Sequence, residues 1–161
     1  MRAMFGKVLV FRAETLELEK VIVSMPEERE KEEEKGEKEI VSYRFMRDVL
    51  KGYIENFNYS QKLEANRITC LCDEEGKLRG LPIRFGFADA IGRPIDVIAG
   101  DILFVSTMNN VTGDRTHNTG DVYCLSERQI RLIESSVKDV NFRTVSKDGI
   151  SEAVEGKCIR G

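Results

Sequence analysis

Alternating hydrophobic and polar positions near the start of the chain predict a β-hairpin. The segment GKVLVFR at 6–12 is mostly apolar, and LELEKVIVS at 16–24 begins by alternating leucine with glutamate. A period of two places every second side chain on the same face of a strand. Because only three residues separate the two segments, we expect them to pair as neighbouring antiparallel strands.

Further apolar runs predict more strands. NRITCLC at 66–72 is one, and the following DEEGK predicts a hairpin turn that pairs it with LRGLPI at 78–83. DVIAGDILFVST at 96–107 is the most hydrophobic run, so we expect one central strand in which Gly100 marks a bulge or a close backbone approach. DVYCL at 121–125 predicts a short strand.

Two segments have the apolar spacing of helices. In SYRFMRDVLKG at 42–52, together with the tyrosine that follows it, apolar residues recur at i, i+3, i+4 and i+7 from Met46. Ser42 can cap the start of this helix, and Gly52 can supply the left-handed residue just past its end. In SERQIRLIESSVK, Ser126 and Gln129 form an S-x-x-Q capping box at the start of the second helix.

These elements predict a single α+β domain, with a mainly antiparallel sheet and two helices packed on one face. We expect the domain to occupy residues 1–138. Residues 26–40 are expected to be a solvated insertion, because positions 26–39 contain eight glutamates, four basic residues and no apolar stripe. Residues 139–161 carry a turn signal and only scattered apolar residues, so we expect a partly disordered C-terminal tail.

The charge distribution disfavours a domain that grips nucleic acid through a large basic face. The chain has 25 basic and 28 acidic residues, and outside 26–39 the balance is 21 basic to 20 acidic. Affinity for a nucleic-acid backbone comes mainly from neutralising phosphates. Because the chain outside 26–39 is nearly neutral, we expect at most a small basic patch.

The sequence also predicts a compartment. No apolar run reaches the length of a membrane helix, and the N-terminus lacks a cleavage site after an apolar core. We therefore expect a cytoplasmic protein without membrane contact. Thiols stay reduced in that compartment. We expect four free cysteines, at Cys70, Cys72, Cys124 and Cys158.

The cysteines are the first candidates for chemistry. Cys70 and Cys72 could begin a zinc site, but alternate residues on a strand project in parallel, and structural zinc sites usually leave two to four residues between such ligands. Cys124 could pair with His117 as a nucleophile and base, but its apolar strand would raise the thiol pKa. The pattern favours buried cysteines without a metal, a cofactor or a catalytic role, and a thiol or metal enzyme is the weakest alternative.

The most polar irregular stretch, VTGDRTHNTGDVY at 111–123, holds the single histidine. Its residue types suit recognition of a small anionic ligand or a host protein, and they also suit any exposed connection. One histidine without a group to orient it does not suit acid–base catalysis. The candidate partner-binding residues of this recognition loop are Asn109, Thr112, Asp114, Arg115, Thr116, His117 and Asn118.

A second polar cluster lies in RFGFADAIGRP at 84–94, where Arg84, Asp89 and Arg93 stand among aromatic residues. Arginines beside aromatic rings can stack on bases, as in single-strand binders. The same residues can also pack a loop onto the core.

Three motifs carry a family resemblance: VLKGYIE at 49–55, CDEEGKLRGLP at 72–82 and VIAGDILFV at 97–105. In this order, the chain resembles the small bacterial and phage family catalogued as domain of unknown function 3846, over roughly residues 5–135. The resemblance implies an accessory gene of phages, plasmids and their hosts, and it carries over no catalytic residue. The chain departs from the family pattern in its Glu/Lys run and in having Ile83, Arg84 and Phe85 after the Leu-Pro pair.

We therefore expect a non-enzymatic accessory binding protein that recognises a host protein or a nucleotide-like small ligand. A protein of phage or plasmid origin that counteracts host defence is a special case of this expectation. A nucleic-acid-binding protein is the first alternative, and a thiol- or metal-dependent enzyme is the second.

Overall fold

The computed structural model describes five parts of the chain, 5–24, 40–88, 94–110, 121–136 and 142–144. These residues form ten strands and three helices. The strands are β1 (Phe5–Arg12), β2 (Glu17–Ser24), β3 (Ile40–Val41), β4 (Ile54–Phe57), β5 (Ile68–Asp73), β6 (Ile83–Ala88), β7 (Pro94–Ala99), β8 (Ile102–Ser106), β9 (Val122–Tyr123) and β10 (Phe142–Thr144). The helices are α1 (Tyr43–Leu50), α2 (Gln61–Ala65) and α3 (Glu127–Ser136).

A seven-stranded antiparallel sheet forms the centre of the fold, with β2-β1-β8-β5-β4 as its main order. β1 and β2 pair from Phe5 opposite Ser24 to Arg12 opposite Glu17, which confirms the predicted hairpin. β8 lies between β1 and β5, in the central position predicted for this hydrophobic segment. β9 pairs with the end of β8, and β3 pairs with β9.

Both faces of the central sheet are buried. On one face, side chains of β1, β5 and β8 form a core with Met46 and Leu50 of α1. On the opposite face, the same strands form a second core with Leu63 of α2 and with Ile130 and Ile133 of α3. A sheet covered on both faces needs apolar side chains in both directions, which explains the continuous apolar run of β8.

The α+β class and the mainly antiparallel sheet are confirmed. The helices differ from the prediction, because there are three in the described residues and they cover both faces of the sheet rather than one. The five residues of α2 bury only Leu63, so this helix shows no apolar period in the sequence. Periodicity shows that a helix has an apolar side, but it does not show which face of a sheet that side covers.

A second, three-stranded sheet has the order β10-β6-β7. The run at 96–107, predicted as one strand, is divided between β7 and β8, which belong to different sheets. Gly100 separates them with a φ of 88°, in the left-handed region that favours glycine. The predicted hairpin of 66–72 with the segment after DEEGK does not form, because β5 pairs with β4 and β8 whereas β6 pairs with β7 and β10.

The helix ends follow the predicted local signals, with one correction. The Ser42 side chain accepts a hydrogen bond from the backbone N–H of Phe45, at 3.1 Å. The capping box is confirmed, since the Gln129 N–H donates to Ser126 Oγ at 3.1 Å and the Ser126 N–H donates to Gln129 Oε1 at 2.9 Å. The left-handed residue after α1 is Lys51, with a φ of 58°, rather than the predicted Gly52.

The predicted domain boundaries fall partly within the described residues. Positions 26–39 of the predicted insertion lie outside the described residues, and Ile40 belongs to β3. Within the segment predicted as a tail, β10 pairs with β6. None of the helices in the described part of the chain has the length and apolar character that a membrane crossing requires.

Candidate functional site

The three motifs that carry the family resemblance meet at one end of the strands of the central sheet. Around them lies a cleft of about 670 Å³ between the β1–β2 turn, the end of α1, the turn before β6 and the bend between β7 and β8. This volume lies within the range of about 300–1,000 Å³ that is common for small-molecule sites. The residues lining the cleft are Arg12, Ala13, Glu14, Thr15, Glu19, Val49, Leu50, Lys51, Arg79, Leu81, Pro82, Gly100 and Asp101.

A buried carboxylate, Asp73, holds one wall of the cleft together. Its side chain is only 2% exposed and forms an ion pair with Arg79. Its Oδ1 atom also accepts the backbone N–H of Glu75, at 2.9 Å. Arg79 donates in addition to the Lys51 carbonyl, at 2.6 Å, so the end of α1 is tied to the turn before β6.

Close backbone contacts explain the glycines of these motifs. A Cβ atom at Gly52 would overlap the Asp73 carboxylate. At Gly76, it would come within 2.7 Å of the Ala99 carbonyl oxygen, and at Gly100 within 2.9 Å of Leu81 Cδ1. Each glycine therefore lets one motif approach another, and the motifs form a single packed unit around the cleft.

The opposite wall is a second ion-pair cluster. Asp101 accepts the backbone N–H of Ala13 at 2.8 Å and the Arg12 guanidinium at 3.1 Å, so both of its oxygens are used. Arg12 also donates to Glu19 at 2.8 Å. Burial opposes the charge of Arg12, but its hydrogen bonds to Glu19 and Asp101 outweigh that effect and raise its pKa. Arg12 is therefore permanently charged and fixes the β1–β2 turn.

The charges that remain available in the cleft are chiefly cationic at the α1 end. The Lys51 ammonium makes no hydrogen bond or ion pair with any described residue. Arg79 bonds Asp73 and Lys51 through one nitrogen and is 43% exposed, which leaves further N–H donors of its guanidinium to face the cleft. Glu14, at the β1–β2 turn, is an acidic residue of the cleft that also has no partner among the described residues.

Next to the cleft lies an exposed surface of α1 and of the residues just after it, which we call the α1 surface, formed by Tyr43, Arg44, Arg47, Lys51 and Tyr53. The two tyrosines are 52% and 53% exposed. The Arg47 guanidinium lies 6.0 Å from the centre of the Tyr43 ring and 4.7 Å from that of Tyr53. A shallow groove of about 420 Å³ runs along this part of α1, and Lys51 lines both this groove and the cleft.

The predicted recognition loop is described only at its base. Asn109 is buried, with 4% of its surface exposed. Asn110 donates from its side-chain amide to the Cys124 carbonyl and to Gln129 Oε1, both at 3.0 Å, so the loop starts from a fixed position. The other predicted residues lie outside the described residues: Thr112, Asp114, Arg115, Thr116, His117 and Asn118.

The second predicted cluster is likewise described only in part. The backbone of Arg84 belongs to β6, whereas Asp89 and Arg93 lie outside the described residues. Its aromatic neighbour Phe85 is 1% exposed and packs edge-on against Tyr59, with ring centres 5.4 Å apart. The Phe85 side chain therefore packs in the core and is not exposed for stacking on a ligand.

The described cysteines are buried, as their strand positions predicted. Cys70, Cys72 and Cys124 are free thiols with 1%, 3% and 1% exposure. Burial, together with the neighbouring Cys72, raises the pKa of the Cys70 thiol well above its ordinary value. A thiol in such a place stays protonated at neutral pH, which makes it a poor nucleophile.

Sequence reasoning missed the residues of the cleft and of the α1 surface. Lys51 and Tyr53 lie within the motif at 49–55, and Asp73 and Arg79 lie within the motif at 72–82. The order of these motifs was the signal in the sequence that could have indicated these residues. Their contact depends on pairing between segments far apart in the chain, such as β5 with β8, which local patterns do not encode.

Comparison with known proteins identifies a family but no individual relative. The family model described as Domain of unknown function (DUF3846) matches residues 19–138. No curated protein and no solved structure matches the chain.

Proposed function

This chain belongs to the family described as Domain of unknown function (DUF3846), and from that premise we propose that it is a non-enzymatic binding protein whose cleft takes a small anionic, nucleotide-like ligand. The observation that carries the proposal is the Lys51 ammonium, which lines a cleft of about 670 Å³ without a described partner. Lys51 and the remaining N–H groups of Arg79 together offer an anion two cationic donors.

The chemistry of the lining favours a ligand with a charged end and an apolar ring. At the α1 end of the cleft, Lys51 and Arg79 supply the positive charge. Val49, Leu81 and Pro82 add apolar surface to the same cleft. A phosphate on the cations and a base or sugar against the apolar residues would use both features, as ligand sites commonly combine apolar walls with a few polar groups.

The arrangement supports binding rather than catalysis. Most carboxylates at the cleft are held in ion pairs, with Asp101 bonded to Arg12 and Asp73 bonded to Arg79, and Glu14 at the β1–β2 turn has no orienting partner among the described residues. Asp101 uses both oxygens in these contacts, and Asp73 is buried. Such groups fix the walls of the cleft and leave its cations to meet the ligand.

A host protein is the second candidate partner, and Leu78 is the observation that favours it. This leucine is 86% exposed on the turn before β6. The turn is ordered by backbone hydrogen bonds from Gly80 to Lys77 at 3.3 Å and from Leu81 to Gly76 at 3.0 Å. An exposed apolar side chain on an ordered backbone is a suitable anchor for a partner pocket. With this partner, the family resemblance extends the proposal to an accessory protein of phage or plasmid origin that counteracts host defence.

A calorimetric titration with ribonucleoside mono- and triphosphates tests the cleft. We expect at least one nucleotide to bind, and the Lys51→Gln variant to bind it at least about tenfold more weakly, because a charged hydrogen bond is lost. Lys62→Gln, which changes an exposed lysine of α2 away from the cleft, is the matched control and should bind like the parent. Equal affinity of the Lys51→Gln variant and the parent would contradict the proposal, as would the failure of every nucleotide to bind.

A further inference from the structure

The α1 surface combines aromatic rings and positive charge in a way that the cleft does not use. Tyr43 and Tyr53 are two of the four large hydrophobic residues found exposed among the described residues. Both rings lie against the guanidinium of Arg47, at 6.0 and 4.7 Å. The rings are therefore held in place on the surface by a shared neighbour, although each remains about half exposed.

The charges of this surface have one dominant sign. Arg44 and Arg47 lie at i and i+3 on α1, and Lys51, the first residue after the helix, lines the same groove. Asp48 is the single acid lining the groove along this side. Neither Arg44 nor Lys51 has a side-chain partner among the described residues. This local excess of positive charge contrasts with the formal net charge of −3 for the whole chain.

We propose that the α1 surface binds single-stranded nucleic acid, with bases stacked on Tyr43 and Tyr53 and backbone phosphates facing Arg44 and Lys51. Every base offers a flat π face, so exposed aromatic rings beside cations bind single strands with little regard to sequence. A duplex keeps its bases stacked on each other and would leave both rings unused. The proposal goes beyond the ligand of the cleft and stands without it.

The structure also explains why this partner fits better than an apolar one. Tyrosine rings supply stacking area while their hydroxyls stay in water. The neighbouring arginine and lysine would lose hydration against an apolar surface, whereas phosphates replace that hydration with charged hydrogen bonds. Charge and ring exposure therefore select a polyanion that has unpaired bases.

Fluorescence anisotropy with a labelled thymidylate dodecamer, at about 50 mM salt, is the direct test on the full chain. We expect Tyr43→Ala and Tyr53→Ala each to weaken binding about fivefold or more, because stacking on one ring is lost. Ile22→Ala removes another exposed side chain, on β2, that lines neither the groove nor the cleft, and it should leave binding unchanged. Circular dichroism on each variant separates lost contacts from lost structure, and Tyr53→Phe should restore binding because it retains the ring.

The salt dependence supplies a second readout that a purely structural role would not change. In Arg44→Gln, the slope of log affinity against log salt should decrease by about 0.7, the value expected for one phosphate contact on a single strand. Arg131→Gln, an exposed arginine of α3, should keep the parent slope. Nucleotide binding in the cleft should survive both tyrosine substitutions, so the two proposals can fail separately. An oligonucleotide that does not bind, or that binds folded tyrosine-to-alanine variants like the parent, would overturn this proposal.

Discussion

At the scale of single residues, the two positions that follow α1 differ in the reason why glycine would suit them. Lys51 has a φ of 58°, and a left-handed backbone costs a side chain other than glycine roughly 1–2 kcal/mol. Gly52 lies outside that region, but a Cβ atom there would overlap the Asp73 carboxylate. The conformational need for glycine and the steric need for glycine therefore fall on neighbouring residues.

Substitution at these two positions should change stability in opposite directions. Lys51→Gly removes the left-handed strain and should raise the free energy of unfolding by about 0.5–1 kcal/mol. Gly52→Ala forces the buried Asp73 and Arg79 pair apart and should lower it by about 1–3 kcal/mol. Urea unfolding measures both. A neutral effect of Gly52→Ala would show that the Asp73 carboxylate can move away without cost.

The buried thiols give a second prediction at this scale. In a Cys158→Ser variant, Cys70, Cys72 and Cys124 should react with a thiol reagent at pH 8 only after denaturation. Burial raises the pKa of Cys70, so the protonated and unreactive form is the one present at pH values below that raised pKa. Rapid labelling of the folded variant would show an accessible thiolate and would support the alternative of a thiol-dependent enzyme.

At the scale of elements, Gln129 does more than complete the capping box of α3. Its Nε2 atom donates to the carbonyls of Asn66 and Arg67, at 3.1 and 3.2 Å, and to Ser106 Oγ at 2.9 Å. Its Oε1 atom accepts from Asn110 at the base of the loop that precedes β9. One buried amide therefore connects α3 to the start of β5, the end of β8 and the loop.

Substitutions at both ends of the capping box should separate these two roles. Ser126→Ala removes only the cap and should cost about 1 kcal/mol in the free energy of unfolding. Gln129→Ala should cost clearly more, roughly 2–4 kcal/mol, because buried carbonyl and amide groups lose their partners as well. Thermal and urea unfolding would give these values. Equal costs for the two variants would mean that the contacts of Gln129 beyond the cap contribute nothing.

The same elements show how far the sequence alone can be used. The capping box and the β1–β2 hairpin were predictable because their signals lie within a few residues of each other. The division of 96–107 between two sheets was not, because the apolar run continues through Gly100 and only contacts with Leu81 and the rest of the fold show the bend. The faces of the sheet that α1 and α3 cover were not predictable either, because they also depend on contacts between distant segments of the chain.

At the scale of the whole molecule, the central sheet is covered on both faces, and the cleft that we propose as the binding site lies at one end of its strands. The motifs at 49–55, 72–82 and 97–105 meet at that end, and their glycines allow the close contacts. The recognition loop at 111–123, predicted from its polar residues, starts from a fixed base elsewhere on the chain and remains a rival for the partner. The cleft and the loop are therefore the two candidates for the binding site.

An amide chemical-shift titration of the isotope-labelled protein with a nucleotide decides most directly between them. We predict that the amides of Lys51, Arg79 and Asp101 shift progressively with ligand concentration, because these residues line the cleft. Shifts confined to Arg115 and His117 would place recognition in the loop instead. Either that pattern or a spectrum unchanged by every nucleotide would contradict a ligand-binding cleft.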